Sequence, residues 1–428
     1  MKKRLGIITL LVVMMLFLCP VFAWAVEEGI DTGDTAWVII STALVFLMIP
    51  GISLFYGGMV RQKNVLNTLM MSFICLGVVT ILWLIYGYSL AFGTDIGKFT
   101  GDLSYLGLKG VGLEPIGTIP HRLFVVFQMM FAILTPALIT GAIVERMRFP
   151  AFVLFLMLWT TLVYDPICHW VWGGGWLMQL GALDFAGGTV VHISSGVSAL
   201  VAALVLGRRK GYGTEPMVPH NIPCVVLGAA LLWFGWFGFN SGSALAANGL
   251  AVSVFLNTQV ATGAALMSWV LVEWLRHGKP TMLGAASGAI AGLVAITPAC
   301  AFVNPMGSLA IGLVSGALCY FTVSYVKVRM GYDDSLDVFG IHGAGGIWGA
   351  LATGLFSVAE GAEGLFYGNV AQFAIQAFSV VTTVVFASVM TFLILMAVGT
   401  VTRLRVDDEA EATGLDVNEH SERAYTFN

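Results

Sequence analysis

Eleven apolar runs, each long enough to cross a lipid bilayer, dominate this 428-residue chain and leave few folds open to it. A hydrocarbon core about 30 Å thick needs roughly 20 apolar residues per helix. The runs lie near 36–60, 65–93, 121–144, 149–172, 185–207, 222–246, 250–275, 281–300, 306–329, 337–358 and 367–402. In lipid every backbone polar group must be satisfied internally, so long unbroken runs of this kind fold as helices. Charged residues make up 10% of the chain, against about 25% in soluble domains. Too little charge is present to cover a soluble surface of this size. The net charge of −4 gives no basic surplus for nucleic acid. The six cysteines (Cys19, Cys75, Cys168, Cys224, Cys300 and Cys319) sit singly within apolar runs and read as core residues, not as a disulfide or zinc framework.

The ends are of a different kind. Lys2, Lys3 and Arg4, the apolar stretch from Leu5 to Cys19, and Ala23-Trp24-Ala25 follow the order of a secretory signal, so 1–25 is expected to be removed after Ala25. With the mature start outside, the connections on the cytoplasmic side carry fourteen Lys and Arg, from Arg61 and Lys63 to Arg403, Arg405 and Arg423. The opposite side carries only Lys98, Lys109 and Arg122. This asymmetry orients the chain with its N-terminus out and its C-terminus in. Residues 403–428, rich in Asp and Glu, are expected to form a polar, water-exposed cytoplasmic tail.

An internal echo locates a site. Asp184-Phe-Ala-Gly-Gly-Thr-Val-Val-His192 and Asp334-Ser-Leu-Asp-Val-Phe-Gly-Ile-His342 each place a carboxylate eight residues before a histidine, and both pairs are offset by 150 residues. Five helices separate the copies, and an odd number reverses direction. The chain therefore reads as an all-α polytopic membrane protein with a first half at 36–207, an inverted second half at 222–358, and an eleventh helix at 367–402. Inverted repeats place substrate sites between the halves near the midplane. Eight residues of helix rise about 12 Å. On that count both histidines, entering from opposite faces, reach the centre. Polar groups at that depth are costly and functional.

Desolvation disfavours the charged imidazolium, so a buried pair is neutral, with one donor and one acceptor nitrogen per ring. That suits a small neutral solute or a proton relay. With no third strong ligand at that depth, the residues specify neither a metal site nor any other cofactor or catalytic set. Aromatic residues form a second constellation toward the outer side. Phe127 and Phe131 are spaced i, i+4, Trp172 closes the fourth run before three glycines, and Gly235-Trp-Phe-Gly-Phe239-Asn-Ser-Gly-Ser243 ends the sixth. Aromatic faces attract cations, and the Ser243 hydroxyl can accept from an N–H donor.

These stretches, together with Pro50-Gly-Ile-Ser-Leu-Phe-Tyr-Gly-Gly58, Val171-Trp-Gly-Gly-Gly175 and Asp337-Val-Phe-Gly-Ile-His-Gly343, resemble the ammonium transporter/methylammonium permease/Rhesus family over roughly residues 36–425. The resemblance implies a homotrimer in the bacterial inner membrane with one narrow pore per subunit, conducting ammonium or ammonia and taking methylammonium as an analogue. It assigns Trp172, Phe127, Phe131 and Ser243 to an outer recruitment site shaped by Asp184. Phe131 and Phe239 become a pore gate, and His192 and His342 the pore-lining pair, with Asp334 as the carboxylate related to Asp184 by the repeat. Gly414-Leu-Asp-Val-Asn418 and Tyr425 resemble the tail that helps bind a PII-type regulator. Three other classes are weighed. An ammonium sensor is expected to carry a fused signalling domain, an intramembrane metalloenzyme a third ligand, and an ion-coupled carrier a larger polar cavity.

Overall fold

The computed structural model describes residues 29–425, so the expected signal segment 1–25 lies outside the described residues. Among the described residues, eleven long helices build the molecule. The first half holds α1 (Thr32–Met59), α2 (Gln62–Phe92), α3 (His121–Ile143), α4 (Phe149–Leu180) and α5 (Gly188–Leu206). The second holds α6 (Ile222–Ala244), α7 (Gly249–His277), α8 (Met282–Ile296), α9 (Pro305–Met330) and α10, which runs from Phe339–Gly343 into Ala344–Phe356. Helix α11 (Val370–Val401) follows. Among the described residues nine of these are long and apolar enough to span a bilayer, α8 and α10 being shorter or less apolar. Their starts follow from local chemistry. The side chains of Asn221, Thr281, Asn304 and Asn369 each accept a backbone N–H from the first turn of α6, α8, α9 and α11.

The halves repeat their packing with inverted direction. Helix α1 lies along α6; α3 on α5 is matched by α8 on α10, and α2 on α3 by α7 on α8. Wide i→i+5 turns recur at matching places: Thr160–Tyr164 in α4 and Thr322–Val326 in α9, Gly188–Ile193 in α5 and Phe339–Gly343 in α10. Such turns concentrate at functional sites. Helix α11 braces the bundle across α4, α5 and α10, where the Trp159 indole N–H reaches Ser198 and Thr391 at 2.9 and 3.1 Å.

One end of the bundle carries Trp172 and two small hairpins, β1 (Asp95–Ile96) with β2 (Thr100–Gly101) and β3 (Pro115–Ile116) with β4 (Ile119–Pro120). The other end carries the tail. There a buried ionic chain joins four connections: Glu145 meets Arg61 at 3.0 Å and Arg209 at 2.7 Å, and Arg209 meets Asp333 at 2.8 Å. Burial alone would raise the Glu145 and Asp333 carboxyls, but Arg209, with Arg61 beside Glu145, holds both below the usual range.

The tail corrects the expectation of a water-exposed segment. Leu415 is fully buried, and Glu411 and Asp416 are almost so. Glu411 accepts from Arg405 at 2.6 Å and from the Lys210 N–H at 2.6 Å, while Asp416 accepts the Asn67 N–H at 2.9 Å. Lys63 donates to the carbonyls of Glu411 and Ala412. These acidic side chains fold inward because Arg405 and the backbone N–H groups of Lys210 and Asn67 supply their partners.

Candidate pore between the two halves

Glycine brings the two histidines together. A Cβ at Gly196 would collide with the backbone of Gly343 and His342, and one at Gly346 would meet the His192 Cβ at 3.0 Å. Each glycine lies four residues beyond a histidine, so the contact is reciprocal: each half's glycine packs against the other half's histidine. Small residues permit this backbone approach where no hydrophobic force draws helices together. The result sets His192 Nδ1 3.3 Å from His342 Nδ1, with ring centroids 5.3 Å apart. His192 is fully buried and His342 is 5% exposed. Two facing Nδ1 atoms form a bond only when one donates and the other accepts. The Nε2 of the donating ring is then an acceptor and that of the accepting ring a donor. His192 Nε2 has no partner.

The pair lines a narrow cavity with Ile52, Phe55, Tyr56, Leu134, Leu138, Trp236 and Ile290. The space open to a water-sized molecule is about 10 Å³, room for one at a time. His192 also stacks on Trp236, with centroids 5.4 Å apart and planes at 26°. Above His192 an aromatic column rises to the Trp172 end. Phe239 stacks on His192 at 6.0 Å, Phe131 lies tilted against Phe239 at 4.4 Å, and Trp172 meets Phe131 edge-on at 5.8 Å. Phe127 completes the cluster at 5.0 Å from Phe131. Both Phe131 and Phe239 are buried. Trp172 is only half-buried. Ser243 is half-buried one turn above Phe239, whose carbonyl accepts its hydroxyl at 2.8 Å, and the adjoining Gly242 lies against the Phe127 ring.

Asp184 holds the Trp172 end of α5 in place. Its carboxylate accepts the N–H groups of Gly187, Gly188, Thr189 and Val190 at 2.5–3.1 Å, and also the Thr189 hydroxyl. These are the donors that a helix start leaves unpaired. Its carbonyl accepts the Trp172 indole N–H at 2.8 Å, so one residue fixes both the helix and the ring. The capping loop alters the expected depth. Helix α5 starts at Gly188, leaving about 6 Å of helix before His192 in place of the 12 Å that eight helical residues would give. Gly187 makes the turn possible with φ +122°, and Gly188 admits Pro298 against the backbone.

Asp334 caps α10 in the related position but less completely, accepting the Phe339 N–H at 2.7 Å. Sequence reasoning passed over Trp236, Tyr56 and the glycines four residues beyond each histidine. Trp236 and Tyr56 lie inside stretches already singled out, and the shared His-to-Gly spacing was readable.

Comparison with known proteins follows the same outline. Residues 36–425 match the Ammonium Transporter Family. The chain is 54% identical over 400 residues to the ammonium transporter of Bacillus subtilis, covering 92% of this chain and 98% of that protein. It is 48% identical to ammonium transporter Amt1 of Archaeoglobus fulgidus, covering 92% and 99% of the two chains. The crystal structure of Candida albicans Mep2 superposes with a TM-score of 0.85 at 36% identity, over 91% of this chain and 89% of that one. The molecule is a multi-pass membrane protein, and it belongs to the ammonium transporter family.

Proposed function

We propose that the cavity between the halves is an ammonium-selective pore that strips the ion of its charge before passing it. Ammonium is first held at the Trp172 end, against the indole face and the Phe127 and Phe131 rings, with Ser243 accepting an N–H. Cation–π contact contributes about 0.5–2 kcal/mol. A unit charge is expensive in an apolar core, so the proton and ammonia part at the Phe131–Phe239 pair. Neutral ammonia then moves past His192 and His342, hydrogen-bonding to their Nε2 atoms, while the Nδ1–Nδ1 contact offers a proton relay. Bare potassium has no N–H to give an imidazole acceptor, and a site built for hydrogen bonds rejects a ligand lacking them. Methylammonium, which keeps three N–H groups, enters the same outer site.

The observation that carries this reading is the histidine pair at 3.3 Å, lining a cavity of about 10 Å³ beneath two buried aromatic rings. The basic residues at the tail end support a bacterial inner-membrane protein with the Trp172 end outside and the tail in the cytoplasm. The exposed apolar groove of α6 and α7, which includes Phe255 and Leu256, suits contact between copies in a homotrimer. A tail packed against Lys63, Asn67 and Lys210 at that end suits control by a cytoplasmic PII-type protein. Proteoliposomes carrying the full chain test the reading when ammonium-evoked current and internal pH are recorded together. Ammonium-dependent, potassium-independent transport that changes in His192→Ala and His342→Ala is expected. Identical traces from empty vesicles would refute it.

A further inference from the structure

The two repeat-related carboxylates are unequally used. Asp184 is saturated by four backbone N–H groups and a hydroxyl. Asp334 is fully buried yet accepts a single N–H through Oδ2, and its Oδ1 has no partner at all. A bare buried carboxylate oxygen costs stability unless it serves a ligand or a proton. No basic side chain takes that oxygen. Lys327 gives its ammonium to Asp337 at 2.6 Å, and Arg146 bonds Ser335 and the Asp333 carbonyl.

The position is at the tail end of the pore. Leu336 N–H donates to the Gly141 carbonyl at 3.0 Å, and a Cβ at Gly141 would meet both the Tyr56 ring and Val338, so Gly141 lies between the segment that follows Asp334 and a tyrosine that lines the cavity. His342 stands three residues beyond Phe339, the residue whose N–H binds Asp334, which is about 4–5 Å of helix rise. Burial pushes the Asp334 carboxyl up to about 6; Asp337 adds to the rise, while Lys327 and the Phe339 N–H oppose it. Tyr56, Tyr332 and Arg146 are the other titratable or charged groups that feel its charge. A carboxyl titrating near neutrality can both give and take a proton at working pH.

We propose that Asp334 is the proton port at the inner mouth of the pore, resting on the reading above that ammonium is deprotonated at the Trp172 end. Ammonia emerging past Tyr56 takes a proton from the Asp334 carboxyl. The O–H bond breaks, an N–H bond forms, ammonium departs, and a carboxylate remains. The proton relayed through His342 restores the acid, so each cycle takes one proton in and gives one out. The pseudo-symmetric pair has thus divided its labour, Asp184 fixing the recruitment end and Asp334 releasing charge at the other.

Proteoliposomes containing the full chain decide the matter through the ratio of ammonium-evoked current to ammonia-driven pH change. In the wild type the current follows a titration near pH 6 on the tail side. Asp334→Asn should lower the ratio at least tenfold and erase that titration, and Asp334→Glu should restore it in part. A wild-type ratio and pH profile in Asp334→Asn overturns the proposal, as does a wild type that carries no current. If His192→Ala is also silent, the pore reading itself fails; if His192→Ala alters transport, only the role of Asp334 falls. Should Asp334→Asn not assemble, Lys327→Met leaves the carboxyl in place and removes a cation that holds its titration down. The midpoint should then move upward, and an unmoved midpoint overturns the proposal.

Discussion

Replacing Asp184 with asparagine or alanine separates anchoring from electrostatics in one experiment. Its Oδ1 receives two backbone N–H groups, and its Oδ2 receives two more and the Thr189 hydroxyl. Asparagine keeps one oxygen and turns its NH₂ toward donors, so in its better orientation it strands the N–H groups of Gly187 and Gly188. A buried donor left unpaired costs about 1–3 kcal/mol, giving about 2–6 kcal/mol for asparagine. Alanine strands all four N–H groups, about 4–12 kcal/mol, which rivals the whole stability of a typical domain at about 5–15 kcal/mol. Asp184→Asn should therefore fold with a lowered melting temperature and weaker ammonium recruitment, because Trp172 hangs from the Asp184 carbonyl at 2.8 Å. Asp184→Ala should fail to assemble. Detergent-solubilised protein on a size-exclusion column, followed by a thermal melt, reads both. An Asp184→Ala protein that elutes and melts like the wild type would refute the reasoning, since four buried donors would then need no acceptor.

Other outcomes follow from the same contacts. Trp172→Leu removes the ring face and should weaken methylammonium competition about 2- to 30-fold, the equivalent of about 0.5–2 kcal/mol; equal inhibition curves would remove the recruitment claim. Gly196→Val forces α5 and α10 apart where backbone meets backbone. It should cost about 1–3 kcal/mol and abolish transport, and a fully active variant would show that the histidine contact is dispensable. Asp334 is raised by burial, so its stabilising neutral form is complete below the ordinary carboxylate range and is lost as pH rises through about 6. A shift from 3.8 to about 6 corresponds to about 3 kcal/mol at most, and Asp334→Asn should therefore melt higher than the wild type at pH 8 but not at pH 4. The same difference at both pH values would contradict it.

How far the residues alone could be read depends on which signals an apolar chain keeps. The spans were legible because the bilayer sets their length. The repeat was legible because histidine and aspartate are rare in such runs, so two pairs offset by 150 residues stand out. Eight-residue spacing did not yield the depth of His192, since Asp184 reaches its donors by a glycine-bearing loop and not as the first turn of a helix. Trp236 and Tyr56 escaped notice for the opposite reason: an aromatic in an apolar helix looks like any other core residue until packing sets it beside the histidines in one cavity. The tail was misread because charge marks a segment as polar without revealing that Lys63 and the Lys210 and Asn67 N–H groups wait for it on neighbouring segments. Composition reports how many charges there are, and only packing reports which of them meet.

The central claim is that an imidazole acceptor, and not pore width, turns bare cations away. Potassium current through His192→Ala and His342→Ala proteoliposomes, recorded beside ammonium current under the same gradient, measures it directly. The account predicts a wild type that passes ammonium and excludes potassium, and variants whose potassium current approaches their ammonium current. Variants that carry ammonium and still exclude potassium would contradict it.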